Sequence, residues 1–212
     1  MTAYADQEEL DKLKDWWKKY GNALIAGVLL GAVILGGIRY WTQDEEQRFH
    51  AASVIYEQLV QGFQARKTDA VRLSGESLIK DYSSTPYAGM AALILARLDF
   101  DAGDMIGARK HLQWVVDNAD ADATVHAARL RLARIILAGG DKDAALALLQ
   151  VSDQAGFKSE YEELKGDIYA AQGNSQQARA AYREALKQAP AGAAYASVLN
   201  MKLDDQGPEP AP

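Results

Sequence analysis

Cysteine is absent from this sequence of 212 residues, which excludes disulfide bonds, thiolate-ligated zinc and catalysis by a thiol nucleophile. A chain without cysteine suits oxidising and reducing compartments equally, so its location has to be inferred from other features. Proline is scarce, with 5 residues, and β-branched residues never form the alternating runs that are typical of strands. The sequence therefore predicts an all-α protein without a sheet.

Basic residues form no dense block, and the formal net charge of −6 is spread along the whole chain. Because nucleic-acid-binding domains gather lysine and arginine on one face, we expect no nucleic acid as a partner. The sequence also contains no GxSxG motif, no P-loop and no Gly-rich turn between a strand and a helix. These absences predict a protein that is not an enzyme and that takes no cofactor and no small-molecule substrate.

Histidines and clustered carboxylates are the remaining candidates for chemistry. His50, His111 and His126 have no second ligand three or four residues further along the chain, so no metal site is predicted. Glutamates at 160, 162 and 163 form an acidic cluster where a helix is expected to start. Negative charge is favourable there because of the helix dipole, and a solvated helix face is a simpler interpretation than a catalytic pair.

One uncharged apolar stretch runs from Gly21 to Ile38 and nearly spans a hydrocarbon core of about 30 Å as a helix. Aromatic residues of the kind that favour headgroup layers flank it at both ends: Trp16, Trp17, Tyr20, Tyr40 and Trp41. We predict a transmembrane helix over 21–41. A buried core helix is the first alternative. A cleaved signal peptide is the second, but Arg39 and large aromatic residues follow the stretch, where a cleavage site has small residues.

The direction of the anchor follows from the basic residues beside it. Lys12, Lys14, Lys18 and Lys19 precede the span, whereas only Arg39 and Arg48 follow it closely. Because lysine and arginine stay on the cytoplasmic side, residues 1–20 are expected to form a cytoplasmic amphipathic lead-in. Residues 43–203 would then lie in the periplasm of a bacterium, with the anchor in its inner membrane.

Small residues recur along one face of the predicted anchor, at Ala23, Gly27 and Gly31. Such a stripe lets a second membrane helix approach the backbone closely. We interpret it as a membrane helix contact. The alternative is that glycine is simply common in membrane helices.

Helical periodicity continues after the anchor, where apolar residues at helical spacing predict one long helix over 43–67. Asp69 is expected to cap a second helix that runs to about Tyr82, before the sequence SSTP ends it. These two helices would form a hairpin.

Three similar turns then recur at Gly103-Asp104, Gly140-Asp141 and Gly173-Asn174, at intervals close to the period of about 34 residues of tetratricopeptide repeats. Glycine supplies a left-handed turn, and the following Asp or Asn accepts amides at the start of the next helix. The positions that keep the repeat pattern and are expected to pack it are Gly103, Ala108, Gly140, Ala145, Gly166, Tyr169, Gly173, Ala178, Tyr182, Ala185 and Pro190.

The predicted fold is an all-α chain with one N-terminal transmembrane helix and a tetratricopeptide-like right-handed α-solenoid. Its helical hairpins are expected over about 51–86, 89–121, 126–158 and 159–191, followed by a capping helix over 193–203 and a disordered tail over 204–212. An irregular helical bundle, in which the periodicity reflects close packing alone, is the alternative.

Repeats of this kind present the first helix of each unit on an inner, curved surface. By repeat position the predicted protein-binding groove comprises Met90, Leu93, Arg97, Phe100, Leu130, Arg134, Leu137, Glu163 and Asp167. Apolar groups beside arginines suit a bound protein segment better than a small ligand. The alternative is that several of these residues pack against the helix predicted over 43–67.

The order of these features resembles one known family. The stretch WWKKYGNALIAGVLLGAVILGGIRYW, then a helix with Tyr56 and Leu59, then degenerate tetratricopeptide units, is similar to the YfgM family of ancillary subunits of the bacterial Sec translocon. The resemblance implies an inner-membrane protein that binds translocon subunits and a PpiD-type periplasmic folding factor and assists exported chains. A membrane-tethered scaffold for cell-envelope or division complexes is the alternative function.

Overall fold

The structure is a computed structural model that describes residues 3–154, 156–189 and 194–207. Within these ranges the structure leaves some side chains undescribed, namely those at 3–13, 15, 23–26, 28–29, 33–38, 40–44 and 194. Two compact units are distinguished, Met1–Ala51 and Ala52–Pro212. The second unit contains every helix pair discussed below.

Helices make up most of the described chain, and no strand occurs in it. Their bounds are α1 (Ala3–Gln64), α2 (Thr68–Asp81), α3 (Pro86–Asp101), α4 (Met105–Asn118), α5 (Asp122–Ala138), α6 (Lys142–Leu148), α7 (Lys158–Ala171), α8 (Ser175–Gln188) and α9 (Ala194–Asp204). The prediction of an all-α protein is therefore confirmed over the described residues. Pro190 and most of the tail, 208–212, lie outside them.

Short turns join α3 to α4, α5 to α6 and α7 to α8. Gly103, Gly140 and Gly173 have φ values of 80°, 91° and 78°, in the left-handed region that glycine adopts without strain. The residue after each glycine is Asp104, Asp141 or Asn174, and its side-chain oxygen accepts a hydrogen bond from a backbone amide in the next helix. For Asp104 this is the amide of Gly107 at 2.9 Å. Each turn thus ends one helix and starts another within three residues.

The turn after α1 differs from this pattern, and it corrects one prediction. Asp69 does not cap α2, because the helix starts at Thr68 and the capping position is Lys67, which makes no side-chain capping bond. Asp69 instead lies in the first helical turn, where its charge is favoured by the helix dipole.

Three apolar clusters hold the second unit together. The first joins the end of α1 to α2 and α3 through Leu59, Leu78 and Leu95, each without exposed surface. The second runs from α3 to α7, and the third packs α8 against α9 around Leu199 and Tyr182. Because each cluster is shared by neighbouring helices, every hairpin depends on the next one for its core.

Within the part of the chain that is described, no helix has an apolar stretch long enough to cross a bilayer. More than half of the side chains of the predicted span, 21–41, lie outside the described residues.

The φ value of Gly140 leads to a stability prediction. Gly140→Ala should lower the free energy of unfolding by about 1–2 kcal/mol, because a Cβ is strained in the left-handed region although nothing lies within 4 Å of it. Gly156→Ala is the matched control, since a Cβ at Gly156 also meets nothing within 4 Å and its φ is not positive. Urea unfolding followed by circular dichroism compares the two, and equal losses would contradict the argument.

Candidate protein-binding groove

An open groove lies between α3 and α5, beside the end of α1. Its volume is about 450 Å³, within the range of about 300–1,000 Å³ of ordinary binding pockets. The lining residues come from four helices: Phe63, Leu93, Ile94, Ala96, Arg97, Phe100, Leu112, Arg131, Arg134 and Ile135. The groove therefore depends on the stacking of consecutive hairpins and would not exist in a single hairpin.

The floor of the groove is apolar and closely packed, whereas its sides are open. Ala96 and Leu112 are buried at the bottom, and Leu93 and Ile135 pack partly against the same core. Phe100, however, exposes 47% of its surface, and Phe63 exposes 37%. Large apolar side chains exposed beside a concavity are typical of a surface that binds another molecule.

Three arginines surround this apolar surface. Arg97 is paired with Asp101 of its own helix, from Nε to Oδ2 at 2.7 Å, and both side chains are well exposed. Arg131 and Arg134 lie three residues apart and so share one face of α5. Neither makes an ion pair with another described residue. The groove thus combines an apolar floor with two guanidinium groups that are available to a ligand.

Four predicted groove residues line this groove, namely Leu93, Arg97, Phe100 and Arg134. The other predicted positions on these helices do not. Leu130 is 4% exposed and belongs to the core, Leu137 packs partly against the same core, and Met90 is half-buried outside the lining. Leu130 and Leu137 thus belong to the core cluster that runs from α3 to α7 and do not line the groove.

Sequence reasoning missed several lining residues, including Phe63, Ile94, Arg131 and Ile135. A signal for two of them was present, since Ile94 and Arg131 each precede a predicted residue by three positions and so share its helix face. For Phe63 the only indication was the alternative that groove residues pack against the helix over 43–67, since only the folded chain brings the end of α1 to α3 and α5.

Glu163 and Asp167, the last two predicted groove residues, lie elsewhere and are covered by α9. Lys202 on α9 donates hydrogen bonds to Glu163 Oε1 and Asp167 Oδ1, both at 2.7 Å. Tyr195 donates to Glu163 Oε2 at 2.7 Å, and Tyr182 donates to Asp167 Oδ1 at 2.8 Å. These carboxylates therefore hold the C-terminal helix against α7.

Burial and hydrogen bonding change the pKa values of Tyr182, Tyr195 and Lys202, which contact Glu163 and Asp167. Burial raises the pKa of Tyr182 and of Tyr195 above 10.0, and their hydrogen bonds to Asp167 and Glu163 raise them further. For Lys202, burial by itself would lower the pKa. Its hydrogen bonds to Asp167 and Glu163 outweigh this effect, so the pKa of Lys202 is raised above 10.5.

These shifts predict a loss of stability in alkali. All three groups hold their protons more tightly in the folded chain, so their contribution is complete below pH 10 and falls as the pH rises above the unfolded values of 10.0 and 10.5. Urea unfolding between pH 8 and pH 11 should therefore show a falling free energy above pH 10. The slope should be smaller in Lys202→Met with Tyr195→Phe, and an unchanged slope would contradict the assignment.

A second ionic cluster joins α2, α3 and α4 at a site that no sequence signal marks. Asp99 is 1% exposed, and its two carboxylate oxygens accept hydrogen bonds from Arg72 Nη2 and His111 Nδ1, each at 2.8 Å. The bond to Asp99 raises the pKa of Arg72 above its ordinary value. The cluster fixes α3 between its two neighbours.

The predicted repeat-packing residues outside the glycine turns lie where helices contact each other, as far as the structure describes them. Ala108, Ala145, Ala178 and Ala185 are completely buried where helices approach closely. Gly166 lies against the ring of Tyr182, and Tyr169 packs at the edge of the last cluster. Pro190 lies outside the described residues.

Two members of the predicted stripe of small residues in α1, Gly27 and Gly31, have open space beside them among the described residues. A Cβ added at Gly27 or Gly31 would meet nothing within 4 Å, and the side chain of Ala23 lies outside the described residues. In the described part of the chain, no group of three or more acidic, histidine or cysteine side chains is placed to hold a metal ion.

Stacked helical hairpins with left-handed glycine turns and a groove on one surface define a tetratricopeptide-like helical repeat protein. The family described as a tetratricopeptide repeat-like domain matches residues 14–207. The ancillary SecYEG translocon subunit of Neisseria gonorrhoeae is 33% identical over 206 residues, which cover 96% of this chain and 99% of that protein.

Two further relatives carry the same name. The ancillary SecYEG translocon subunit of Escherichia coli is 26% identical over 206 residues, covering 97% of this chain and 98% of its own. That of Haemophilus influenzae is 27% identical over 180 residues, covering 85% and 88%. The chain therefore belongs to the tetratricopeptide repeat-like family of ancillary SecYEG translocon subunits, and the predicted resemblance is confirmed.

Proposed function

We propose that this protein is an accessory subunit of the Sec translocon that binds partner proteins through its helical repeats and catalyses no reaction. The observation that carries the proposal is the similarity to an ancillary SecYEG translocon subunit over 96% of the chain, anchor region included. The open groove between α3 and α5 supports it, because its exposed apolar side chains would be costly without a partner.

In this proposal the anchor is a transmembrane helix over 21–41 in the bacterial inner membrane. The uncharged stretch from Gly21 to Ile38 and the lysines before it support an N-terminus in the cytoplasm. The hairpins, arranged as a right-handed solenoid in this proposal, would then lie in the periplasm. The stripe of Ala23, Gly27 and Gly31 would contact a translocon helix in the membrane. Partners in the periplasm would be a PpiD-type folding factor and exported chains.

Purification from membranes tests the proposed assembly. Full-length tagged protein extracted in a mild detergent should enrich the SecY, SecE and SecG subunits over an untagged control. A variant whose residues 21–41 are replaced by an unrelated apolar helix should enrich them less if the stripe makes a contact. Recovery of division or envelope-assembly proteins in their place would support a scaffold and overturn the translocon assignment.

Protease treatment of spheroplasts tests the orientation separately. Residues after Trp41 should be digested by protease added outside, while a cytoplasmic control protein stays intact. Protection of these residues until the membrane is lysed would contradict the periplasmic placement of the repeats.

A further inference from the structure

We propose that the groove between α3 and α5 selects acidic apolar segments of its protein partners, in which apolar side chains fill the groove and a neighbouring carboxylate meets Arg131 and Arg134. The proposal rests on the function proposed above and specifies the chemistry of the ligand.

The apolar part of the ligand follows from the floor and the walls of the groove. Ala96 and Leu112 close the bottom, and Phe63 and Phe100 remain exposed on its sides. A bound segment can remove these aromatic surfaces from water only by placing apolar side chains between them.

The acidic part of the ligand follows from charge complementarity. The chain as a whole carries a net charge of −6, yet three arginines gather at this one groove. Arg97 is already paired with Asp101, whereas Arg131 and Arg134 have no ionic partner among the described residues. Guanidinium groups bind carboxylates with two parallel hydrogen bonds, so these two arginines would favour an acidic segment over a neutral or basic one.

Three labelled peptides test this selectivity, namely GLLEFLEG, its glutamine form GLLQFLQG and its lysine form GLLKFLKG. Fluorescence anisotropy would be measured with the full-length protein in nanodiscs of zwitterionic lipid, with empty nanodiscs as the blank. We expect the acidic peptide to bind about tenfold more tightly than the glutamine form, and the lysine form to bind most weakly. Added salt should reduce the difference.

Two matched variants locate the effect. Arg131→Gln with Arg134→Gln should abolish the preference for the acidic peptide, so that the acidic and glutamine forms bind this variant with equal affinity. Arg109→Gln with Lys110→Gln removes the same charge from exposed positions of α4 that do not line the groove, and the preference should remain.

The possible failures are distinguishable from failure of the translocon assignment. Equal binding of all three peptides, or an unchanged preference in the Arg131 and Arg134 variant, would overturn the acidic ligand. Absence of any peptide binding would overturn it as well. In each case the translocon assignment is tested separately, by the enrichment of SecY, SecE and SecG with the tagged protein.

Discussion

Replacement of Asp99 by alanine should lower the free energy of unfolding by about 2–4 kcal/mol. The carboxylate is 1% exposed and accepts hydrogen bonds from both Arg72 and His111. Its loss leaves a guanidinium and an imidazole without their partner and removes the link between α2 and α4. The side chain of Arg72 is 40% exposed, which lets water take over part of the lost interaction and keeps the cost below that of a fully buried pair.

Asp101→Ala is a matched control on the same helix, because Asp101 also accepts a hydrogen bond from an arginine, Arg97. Both members of this pair are exposed, 66% for Arg97 and 47% for Asp101, so the expected loss is much smaller than that of Asp99→Ala. Urea unfolding of the two variants at neutral pH measures the difference. Similar losses in both would mean that the burial of Asp99 has no energetic consequence.

The turns show how much of the fold the sequence determines locally. A glycine followed by Asp or Asn can end one helix and begin the next regardless of what surrounds it, since both effects involve only neighbouring residues. The all-α class could therefore be predicted, as could the Gly-Asp and Gly-Asn positions. The turn at Lys67 lacks this chemistry, and there the sequence pointed to the wrong capping residue.

The candidate site depends on contacts between distant parts of the chain, and sequence periodicity describes these poorly. Repeat position placed Leu93, Arg97, Phe100 and Arg134 on one surface, because successive repeat units have the same geometry and present equivalent positions on the same side. Repeat position could not show that α9 covers Glu163 and Asp167, because the array ends there and α9 takes the place of a further repeat. Nor could it show that Asp99 is buried, since a charged residue in a helix is usually solvated.

The end of the array also explains why an acidic pair can occupy groove positions without being a binding site. Lys202 gives Glu163 and Asp167 a cation from the same chain, so no ligand is needed to compensate their charge. Arg131 and Arg134 lie in the middle of the array, where α9 supplies no such partner. The contrast between these two pairs distinguishes a structural cluster from a surface that is open to a partner.

Gly166→Val should lower the free energy of unfolding by about 3 kcal/mol, because α7 and α8 meet at this glycine without room for a side chain. A Cβ at Gly166 would overlap the ring of Tyr182, with three ring atoms closer than 3.0 Å. The ring cannot easily move away, since its hydroxyl donates to Asp167 at 2.8 Å and the side chain is 2% exposed. Valine is a better helix former than glycine, but that gain of less than about 1 kcal/mol is smaller than the cost of the overlap.

A double-mutant cycle with Tyr182 separates the overlap from other effects of the substitution. Tyr182→Leu removes the ring atoms that a side chain at 166 would meet, so the double variant should be less destabilised than the sum of the single variants, by about 1–2 kcal/mol. Gly156→Val provides a control at a glycine whose added Cβ would meet nothing within 4 Å. Strict additivity in the cycle, measured by urea unfolding, would show that Tyr182 does not limit the space at Gly166. The close packing of α7 against α8 would then have to depend on other residues.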